Sequence, residues 1–488
     1  MRLCDLLPDV CPGESLFIGG VNIFPQYVKE GDLFLVLPSR TSQAMEREKI
    51  DWALRGGARV IVKRKEIEIP VSRGILTIDV DDPRKTLSQI AARLTPGQPK
   101  TVVGITGTCG KTSVTSFLKQ IWDQLGVKAG RFCSMGALDP DNKGLLLKAA
   151  SREWGMTRIM HAYMQEIAKR GATHLAFELS SAILDKRRPD AVLFSAGIFT
   201  NLSFEHLNYH GTMERYFQAK SRLFKELLPE GSLAVLNAGD SYFQNLLELC
   251  EKRKLHIITF GTPGADVFLS SIQCSSSSSR IVLSVFGKMH TVVFPVPSAF
   301  QAENLLPALA TSIGLGASVH DVLNAVTCLK SVPGRFEFVG ETRHNASVYI
   351  DFAHKPAGLK AVLLEARRLL KPSQKVTVVF GCDGNADPQK RPLHGEIVQR
   401  LADRVVVTDD NPRTEDPQTI RNQIIKACPK AIDIARRDHA IFHAIKNLSP
   451  GDICIVVPQA THGENQERTK AFSLSERELI KEAIKRAN

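Results

Sequence analysis

The segment GITGTCGKTS, residues 104–113, combines glycines, a lysine and hydroxyl side chains at a spacing that suits phosphate binding. Glycine lets the backbone approach phosphate oxygens, lysine adds a cation, and a Thr or Ser hydroxyl can ligate Mg²⁺. The loop is shorter than the general P-loop, because Ile105 stands where that pattern has its first glycine. The alternative interpretation is a glycine turn with a surface lysine. The candidate phosphate-binding residues are Gly107, Thr108, Gly110, Lys111, Thr112 and Ser113.

The elements around this loop are a strand and a helix. TVVGITG is a β-branched run that predicts a strand, and KTSVTSFLKQIWDQLG has apolar residues at helical spacing and stops at Gly126. Strand, glycine loop and helix are typical of a parallel α/β unit. Later strand-like runs end in polar loops, where open parallel sheets bind ligands. These runs are HLAFELSS, AGIFTNL, SLAVLNAGD, HIITFG, VYIDFAH, KVTVVFGCDGN, RVVVTDDNPR and DICIVVPQATHG. Before the loop, strands at 32–37, 59–63 and 75–80 predict a small α/β domain.

Composition bounds the class of protein. The 488 residues include 63 Lys and Arg against 51 Asp and Glu, which gives a formal net charge of +12. With 23% charged and 43% hydrophobic residues, a wholly disordered chain, a collagen and a coiled-coil rod are excluded. The basic balance favours anionic partners such as nucleotides and phosphorylated metabolites, or is only a solvated surface. Without an RNP, zinc-finger or helix-turn-helix pattern, direct nucleic-acid binding is not expected.

The cysteines and the N-terminus indicate a compartment. Ten cysteines are scattered without a CxxC pair, which predicts reduced thiols rather than a zinc cluster. The N-terminus lacks a secretory pattern, and no run approaches the ~18 to 20 apolar residues of a membrane helix. We therefore expect a cytoplasmic protein without a membrane partner.

Several motifs together resemble the Mur ligase family, ATP-dependent amide ligases that build peptidoglycan stem peptides. Besides the glycine loop, the resemblance covers roughly residues 98 to 425 and rests on motifs that follow the family's order. They are ELSS, FTNLSFEHLNYHGTMERYFQAKSRLF, VPGRFE, YIDFAHKP, FGCDGNADPQKRPL and TDDNPRTEDP. The run Asp410–Arg413 resembles the subfamily that adds meso-diaminopimelate to UDP-N-acetylmuramoyl-L-alanyl-D-glutamate.

The resemblance implies an α/β chain of three domains and a reaction. Residues 1–97 would form an N-terminal UDP-sugar-binding-like domain, residues 98–332 a central P-loop-type ATPase domain with a parallel sheet, and residues 333–488 a C-terminal Rossmann-like domain that binds the amino acid. With ATP and Mg²⁺, the acceptor carboxylate would become an acyl phosphate, and the amine of the amino acid would attack it. The partners implied are small molecules, a nucleotide-sugar peptide and an amino acid.

The resemblance also assigns roles to residues. The catalytic set would be Lys111, Glu178, His210 and Lys220. The metal set would be Thr112, Glu178, His210 and Lys220 as a carbamate, with His206 as the alternative histidine and a solvated helix lysine as the alternative for Lys220. Besides the glycine loop, ATP would contact Asn304, Arg335, Asp351 and His354. The substrates would contact Ser180, Arg188, Asp410, Asn411, Arg413, His462 and Glu464, although a turn with an Asx cap also accounts for the DDNPR run.

Other family motifs are altered. In the substrate-binding segments, Phe24–Gln26 stands in place of the uridine motif, and Ser151–Arg158 stands in place of the Thr-Thr-Pro segment. Three single positions also differ: Ala182 replaces a histidine, Gln301 replaces an asparagine, and Ala386 replaces the arginine of a GCGGDRD-type loop. Near the C-terminus, Ala460–Gly463 replaces a Lys-Gly-His-Glu motif. Two alternatives therefore stay open: a ligase with a divergent substrate, or a catalytically degenerate homologue that serves as a structural or interaction subunit with protein partners. A folate-type ligase is a third alternative, and DDNPRTEDP argues against it.

Overall fold

The computed structural model describes residues 1–9, 16–39, 42–69, 74–145, 155–275, 278–459 and 466–487. Its contacts divide the chain into two compact units. The first unit is Met1–Phe260 with Ala310–Gly316, and the second is Gly261–Leu309 with Ala317–Asn488. The predicted α/β class with parallel sheets is confirmed. The domain boundaries after residues 97 and 332 remain predictions.

The first unit begins with a small parallel sheet. Its four strands are adjacent in chain order: β1 (Val21–Asn22), β2 (Leu33–Leu35), β3 (Val60–Arg64) and β4 (Leu76–Val80). The accompanying helices are α1 (Leu3–Leu6), α2 (Gln43–Arg55) and α3 (Pro83–Leu94), with a 3₁₀ turn at Pro25–Tyr27. Helix α3 begins where Asp82 accepts from the Arg84 and Lys85 amides and Pro83 supplies a preset φ.

The second sheet of this unit positions the phosphate loop. From one side to the other it contains β11 (His256–Gly261), β10 (Leu233–Asn237), β9 (Ala196–Phe199), β5 (Thr101–Thr106), β8 (His174–Glu178), β6 (Ala129–Cys133) and β7 (Gly136–Leu138). All neighbours are parallel except β6 and β7. The strands are apolar runs because helices cover both faces of a parallel sheet.

Among the described residues, seven helices and one π-helical turn belong to this second sheet. They are α4 (Lys111–Gln124), α5 (Met156–Lys169), α6 (Ser181–Asp185), α7 (Leu207–His210), α8 (Met213–Arg222), the π-turn Leu223–Leu227 and α9 (Phe243–Lys252), with the last residues of α10 (Ala299–Gly314). Helix α8 and the π-turn bury Phe217, Leu223 and Phe224 in the core. This burial fixes the orientation of α8, which carries Lys220.

Within the first unit, α3 is fastened to the part of the chain that follows β8. The buried Ser88 hydroxyl donates to the Arg188 carbonyl at 2.8 Å and accepts from the Ala191 amide at 3.0 Å. Arg187 pairs with Asp82 at 2.8 Å and with Asp190 at 2.7 Å. We call this set of contacts the Ser88 clasp. It ties the predicted first domain to the predicted central domain.

The second unit contains a meander and a sheet. The meander pairs β12 (Val267–Cys274), β13 (Ser279–Val285) and β14 (Lys288–Phe294) in antiparallel fashion. The sheet follows the order β15 (Glu337–Glu341), β16 (Ser347–Ile350), β20 (Ile453–Val456), β17 (Val376–Phe380), β18 (Arg404–Val407) and β19 (Ile432–Asp433), and only β15 is antiparallel. The helices are α10, α11 (Val319–Val326), α12 (Pro356–Leu369), α13 (Lys390–Leu401), α14 (Pro417–Ala427), α15 (Arg437–Lys446) and α16 (Gln466–Ala487).

The cysteines depart from expectation at one position. Cys4 is in a disulfide bond, so the prediction of reduced thiols throughout is wrong there. The sequence could not reveal this, because a pairing depends on which side chains the fold brings together. The other described cysteines are free thiols: Cys109, Cys133, Cys250, Cys274, Cys328, Cys382, Cys428 and Cys454.

Candidate active site

The glycine loop connects β5 to α4 as predicted. Gly107 has a φ of 144° and Gly110 a φ of 82°, a region that L-residues with side chains rarely adopt. A Cβ on Gly107 would lie 1.9 Å from the Thr200 hydroxyl oxygen, so only glycine fits there. Helix α4 begins at Lys111 without a side-chain cap, and the positive end of its dipole favours an anion there. The loop therefore has a geometry that suits phosphate, and Thr112 and Ser113 lie in the first turn of α4.

Two residues after β9 hold the loop in shape. Asn201 accepts the Thr108 amide with its carbonyl at 2.8 Å and the Cys109 amide with its side-chain oxygen at 2.9 Å. The Thr200 hydroxyl donates to the Cys109 carbonyl at 2.7 Å. Thr200 and Asn201 are not among the predicted site residues. Their position, a polar pair directly after a buried strand, was the sequence signal that could have identified them.

The oxygen atoms of Thr112 and Glu178 form the candidate magnesium site. The Thr112 hydroxyl donates to Glu178 Oε2 at 2.9 Å, and the Ser134 amide donates to the same oxygen at 3.2 Å. Hydroxyl and carboxylate oxygens are the donors that Mg²⁺ prefers, so this pair fits the ion. Lys111 Nζ donates to the Thr108 carbonyl at 2.9 Å, which keeps the ammonium over its own loop.

Lys220 reaches the same loop from α8. Its side chain is 1% exposed, and Nζ donates to the Gly107 carbonyl at 2.6 Å. Nζ also lies 4.6 Å from the ring centre of Tyr216, whose hydroxyl is 3.2 Å from the Thr108 hydroxyl. Burial raises the pKa of Tyr216 to about 12, so this phenol stays protonated. The alternative of a solvated helix lysine is therefore wrong for Lys220.

Both candidate histidines lie beside Tyr216. The ring centres of His210 and Tyr216 are 5.0 Å apart, and those of His206 and Tyr216 are 5.9 Å apart. His210 is buried, and its Nε2 lies 2.9 Å from the Ser181 hydroxyl, whereas His206 is exposed and has a φ of 57°. The geometry places both near the loop and leaves the choice between them open.

The two substrate candidates after β8 have structural contacts. Ser180 caps α6 by accepting the Ile183 amide at 3.3 Å. Burial lowers the pKa of Arg188, and Tyr209 opposes this change. Nearby, α6, α7, α8 and the π-turn surround a cavity of about 370 Å³. Its lining residues are Asp185, Tyr209, His210, Arg215, Gln218, Ala219, Arg222, Lys225 and Glu226.

In the second unit, the nucleotide candidates lie around the segment after α11. The Asp351 carboxylate accepts the Phe336 amide at 2.7 Å. Burial raises the pKa of Asp351 to about 6, and the neighbouring Arg335 opposes the rise. The His354 ring lies 5.8 Å from the ring of Phe352. Asn304 lies on α10, and its side chain donates to Gln301, whose own side chain donates to the Arg335 carbonyl.

The DDNPR run is a loop after β18. Asn411 Oδ1 accepts the Arg413 amide at 3.4 Å, so the predicted Asx turn is present. Asp410 is 9% exposed and accepts the Asn411 amide at 2.8 Å. Arg413 has a φ of 51°, and its guanidinium lies 3.6 Å from Asp383 Oδ2. A charged, partly exposed guanidinium is thus presented at the carboxyl end of a parallel strand.

Asp383 is a residue of this loop pair that sequence analysis missed. Burial and the charge of Asp410 raise its pKa to about 7, and Arg413 opposes the rise. The two loops touch closely, because the Gly384 amide donates to the Asn411 carbonyl at 2.8 Å and a Cβ on Gly384 would lie 1.9 Å from the Pro412 oxygen. The sequence signal that could have identified Asp383 was a carboxylate directly after Cys382, in a loop with glycines on both sides.

Some predicted residues cannot be placed. His462 and Glu464 lie outside the described residues, as does part of Ser151–Arg158. Within the described ranges, no group of three or more His, Cys, Asp or Glu side chains could hold a metal ion. The predicted metal set is consistent with this, because it uses a hydroxyl and a modified lysine beside Glu178 and His210. In the same ranges no helix is long and apolar enough to cross a membrane.

A glycine loop after a parallel strand, beside a hydroxyl–carboxylate pair and a buried lysine, defines an ATP-dependent phosphoryl-transfer site. Residues 105–312 match the protein family described as "Mur ligase middle domain". Residues 334–460 match the family described as "Mur ligase, glutamate ligase domain". A Mesorhizobium japonicum relative is 37% identical over 496 residues, covering 99% of both chains, and a Chelativorans relative is 36% identical over 489 residues, covering 99% and 98%. Both are named UDP-N-acetylmuramoyl-L-alanyl-D-glutamate--2,6-diaminopimelate ligase. The chain belongs to the Mur ligase family.

Solved structures agree on the fold. A structure of a UDP-N-acetylmuramoyl-L-alanyl-D-glutamate--2,6-diaminopimelate ligase has a TM-score of 0.68, 23% identity and 99% coverage of both chains. The MurF ligase from Thermotoga maritima in complex with ADP has a TM-score of 0.61, 19% identity and coverage of 97% of this chain and 100% of that one. A folylpolyglutamate synthase from Mycobacterium tuberculosis reaches 0.63 at 18% identity, covering 77% and 92%.

Proposed function

We propose that this protein is an ATP- and Mg²⁺-dependent ligase that adds meso-diaminopimelate to UDP-N-acetylmuramoyl-L-alanyl-D-glutamate in the cytoplasm. The observation that carries the proposal is the near-complete match, at 36–37% identity, to two relatives that bear the name of this reaction. The glycine loop and the Thr112–Glu178 oxygen pair support it, since the first step requires a bound nucleotide and a hard cation.

The first chemical step needs positioning and charge neutralisation. The glycine loop would cradle the phosphates while Lys111 turns from the Thr108 carbonyl to the β- and γ-phosphates. Mg²⁺ held by Thr112 and Glu178 would neutralise the charge of these phosphates. The acceptor carboxylate then attacks the γ-phosphorus, the bond from that phosphorus to the bridging oxygen of ADP breaks, and ADP leaves as the acyl phosphate forms. No covalent bond to the protein is needed.

Lys220 would act as a carbamate. The ammonium would first lose a proton, and the neutral Nζ would then attack CO₂ and release a second proton to solvent. The carbamate keeps one N–H, which can keep the 2.6 Å bond to the Gly107 carbonyl. The new oxygens are anionic and suit a second Mg²⁺, whereas an ammonium would repel it. The chemistry of the donor set therefore favours the modified form beside the loop.

A histidine would complete the second metal position. His210 is our first choice and His206 the alternative. Alanine variants of the two, assayed over a range of Mg²⁺ concentrations, decide between them. The variant that lacks the ligand should need more Mg²⁺ for half-maximal activity, and the other should keep the wild-type Mg²⁺ dependence.

The amino acid would bind at the DDNPR loop. The Arg413 guanidinium can clamp a carboxylate bidentately, and Asn411 can add a polar contact. Ser180 and Arg188, near the cavity in the first unit, would contact the acceptor, and His462 and Glu464 the amino acid. A degenerate subunit is disfavoured because the glycine loop, Thr112, Glu178 and Lys220 retain contacts suited to catalysis. The folate-type alternative rests on a likeness of fold alone.

The test is a reconstituted reaction. The full chain is incubated with ATP, Mg²⁺, the UDP-muramoyl dipeptide and meso-diaminopimelate, and both phosphate release and product mass are measured. The proposal predicts equal amounts of phosphate and tripeptide product, and neither without the acceptor. Lysine in place of diaminopimelate tests the amino acid. ATP binding without phosphate release on any of these substrates would favour the degenerate subunit instead.

A further inference from the structure

Gln301 occupies a central position among the nucleotide candidates of the second unit. It lies in the first turn of α10, and its side chain is 0% exposed. Its Nε2 donates to the Arg335 carbonyl at 2.9 Å, across 34 residues of sequence. Its Oε1 accepts from Asn304 Nδ2 at 3.3 Å. One buried amide thus bridges two residues that are expected to contact ATP.

The same peptide group is also held from its other side. The Arg335 carbonyl and the Phe336 N–H are the two polar ends of one peptide bond. Gln301 holds the carbonyl, and Asp351 holds the N–H at 2.7 Å. Phe336 has a φ of 50°, so this conformation is costly and persists only where neighbours determine it. The Phe336 ring stacks on Tyr349 at 4.5 Å and meets Phe300 at 5.8 Å, which fixes the next side chain as well.

We propose that Gln301 is a positioning residue that sets the Arg335 guanidinium for the nucleotide. The hydrogen-bonded path Asn304–Gln301–Arg335 continues through the 335–336 peptide to Asp351. It joins three of the four nucleotide candidates of this unit, and it rests on the ligase function proposed above. The asparagine that the family pattern has at this position is one methylene shorter, about 1.5 Å, and could not span the same distance without a shift of α10.

Substitution of Gln301 should weaken nucleotide binding through Arg335. Gln301→Met keeps the length of the side chain but removes both hydrogen bonds and leaves the Arg335 carbonyl without this donor. We expect about a tenfold rise in the Kd for ADP and in the KM for ATP. The KM values for the acceptor and the amino acid should stay within twofold. Gln399→Met, at an exposed glutamine, is the matched control and should change none of these values.

A double-mutant cycle separates positioning from general stability. If Gln301 acts through Arg335, Gln301→Met should cost less than twofold in ADP affinity when Arg335 is already alanine. Calorimetric titration of the full chain with ADP and Mg²⁺ measures the four constants, and thermal unfolding checks that each variant is folded. Gln301→Glu keeps an acceptor for Asn304 but places a carboxylate oxygen against the Arg335 carbonyl oxygen. We expect the same loss of ADP affinity, so this variant replaces Gln301→Met if that variant does not fold.

Two results overturn the inference. One is wild-type ADP affinity in folded Gln301→Met or Gln301→Glu protein. The other is an equal loss of affinity with and without Arg335. Failure of the wild-type chain to bind ADP or to release phosphate would contradict the proposed function instead, so the two failures are distinguishable.

Discussion

Lys220 places a basic nitrogen where the protein interior excludes water. The side chain is 1% exposed, and its described partners are a backbone carbonyl and an aromatic ring. A buried ammonium loses its hydration, and its partners in the protein must replace it. In the function proposed above, reaction with CO₂ would convert this positive charge into a negative one that Mg²⁺ can neutralise. The metal site would then offset the cost of burying the lysine.

The modification of Lys220 is directly measurable. In bicarbonate buffer at neutral pH, native mass spectrometry should show a mass increase of one CO₂ that Lys220→Met abolishes. The same variant should lower kcat by at least about 100-fold, because it removes charge stabilisation at the reacting phosphate. Lys252→Met, at an exposed lysine at the end of α9, is the control for both readouts. An unchanged kcat in the Lys220 variant would refute the role.

Asp351 should make folding stability depend on pH. Its pKa is raised from 3.8 to about 6, so ionisation is less favourable in the folded state than in the unfolded state. Stability from the neutral form is full below about pH 4 and is lost as pH rises through about 6. The shift corresponds to about 3 kcal/mol. Asp351→Asn stays neutral, so the wild type should lose that amount relative to the variant between pH 4 and 7.

Urea unfolding at intervals of one pH unit checks this prediction. The asparagine itself changes the free energy of unfolding by an amount that does not depend on pH. The test is therefore how the difference in free energy of unfolding between the wild type and the variant changes with pH. A difference that is constant with pH, or that grows in favour of the wild type, would contradict it.

At the level of elements, the turn before β15 depends on a glycine. Gly334 has a φ of 64°, and a Cβ there would lie 2.0 Å from a ring carbon of Phe352. The Gly334 carbonyl accepts the Phe352 amide at 2.9 Å, so the two segments cannot separate without losing a bond. The chain between α11 and β15 is therefore a packed element rather than a loose linker.

Gly334→Ala should destabilise the protein by about 2 to 5 kcal/mol, which combines left-handed strain with overpacking. Gly264→Ala is the matched control, since Gly264 has a φ of 96° but no atom within 4 Å of the added Cβ. It should cost only the strain, about 1 to 2 kcal/mol. Equal losses for the two variants in urea unfolding would show that the contact with Phe352 carries no energy.

The sequence predicted elements whose signals are local. Strand, glycine loop and helix are contiguous, so β5, the loop and α4 could be predicted from β-branched runs and helical spacing. Contacts between distant segments could not. Asn201 and Cys109 are 92 residues apart, and Gln301 and Arg335 are 34 apart. Asp383 was missed for the same reason, since its importance depends on Arg413 from another strand end.

For the whole first unit, the Ser88 clasp should determine whether the small sheet unfolds with the larger one. Ser88→Ala leaves the part-buried Ala191 amide and Arg188 carbonyl without their hydroxyl partner, at a cost of about 1 to 3 kcal/mol. We expect the variant to unfold in two resolved steps, with residues 1–97 first, as followed by hydrogen exchange. Ser241→Ala, at an exposed serine, should behave like the wild type. Uniform exchange in both variants would exclude a coupling role.

The hydrogen bonds between Asn201 and the glycine loop also have a consequence for folding during synthesis on the ribosome. The loop is translated early, yet the atoms that hold the Thr108 and Cys109 amides belong to a residue made 92 positions after Cys109. A nascent chain that has not yet released β9 from the exit tunnel lacks this support. Competence for ATP should therefore not arise before residue 201 has emerged, and a truncated product that ends before it should be inert toward nucleotide.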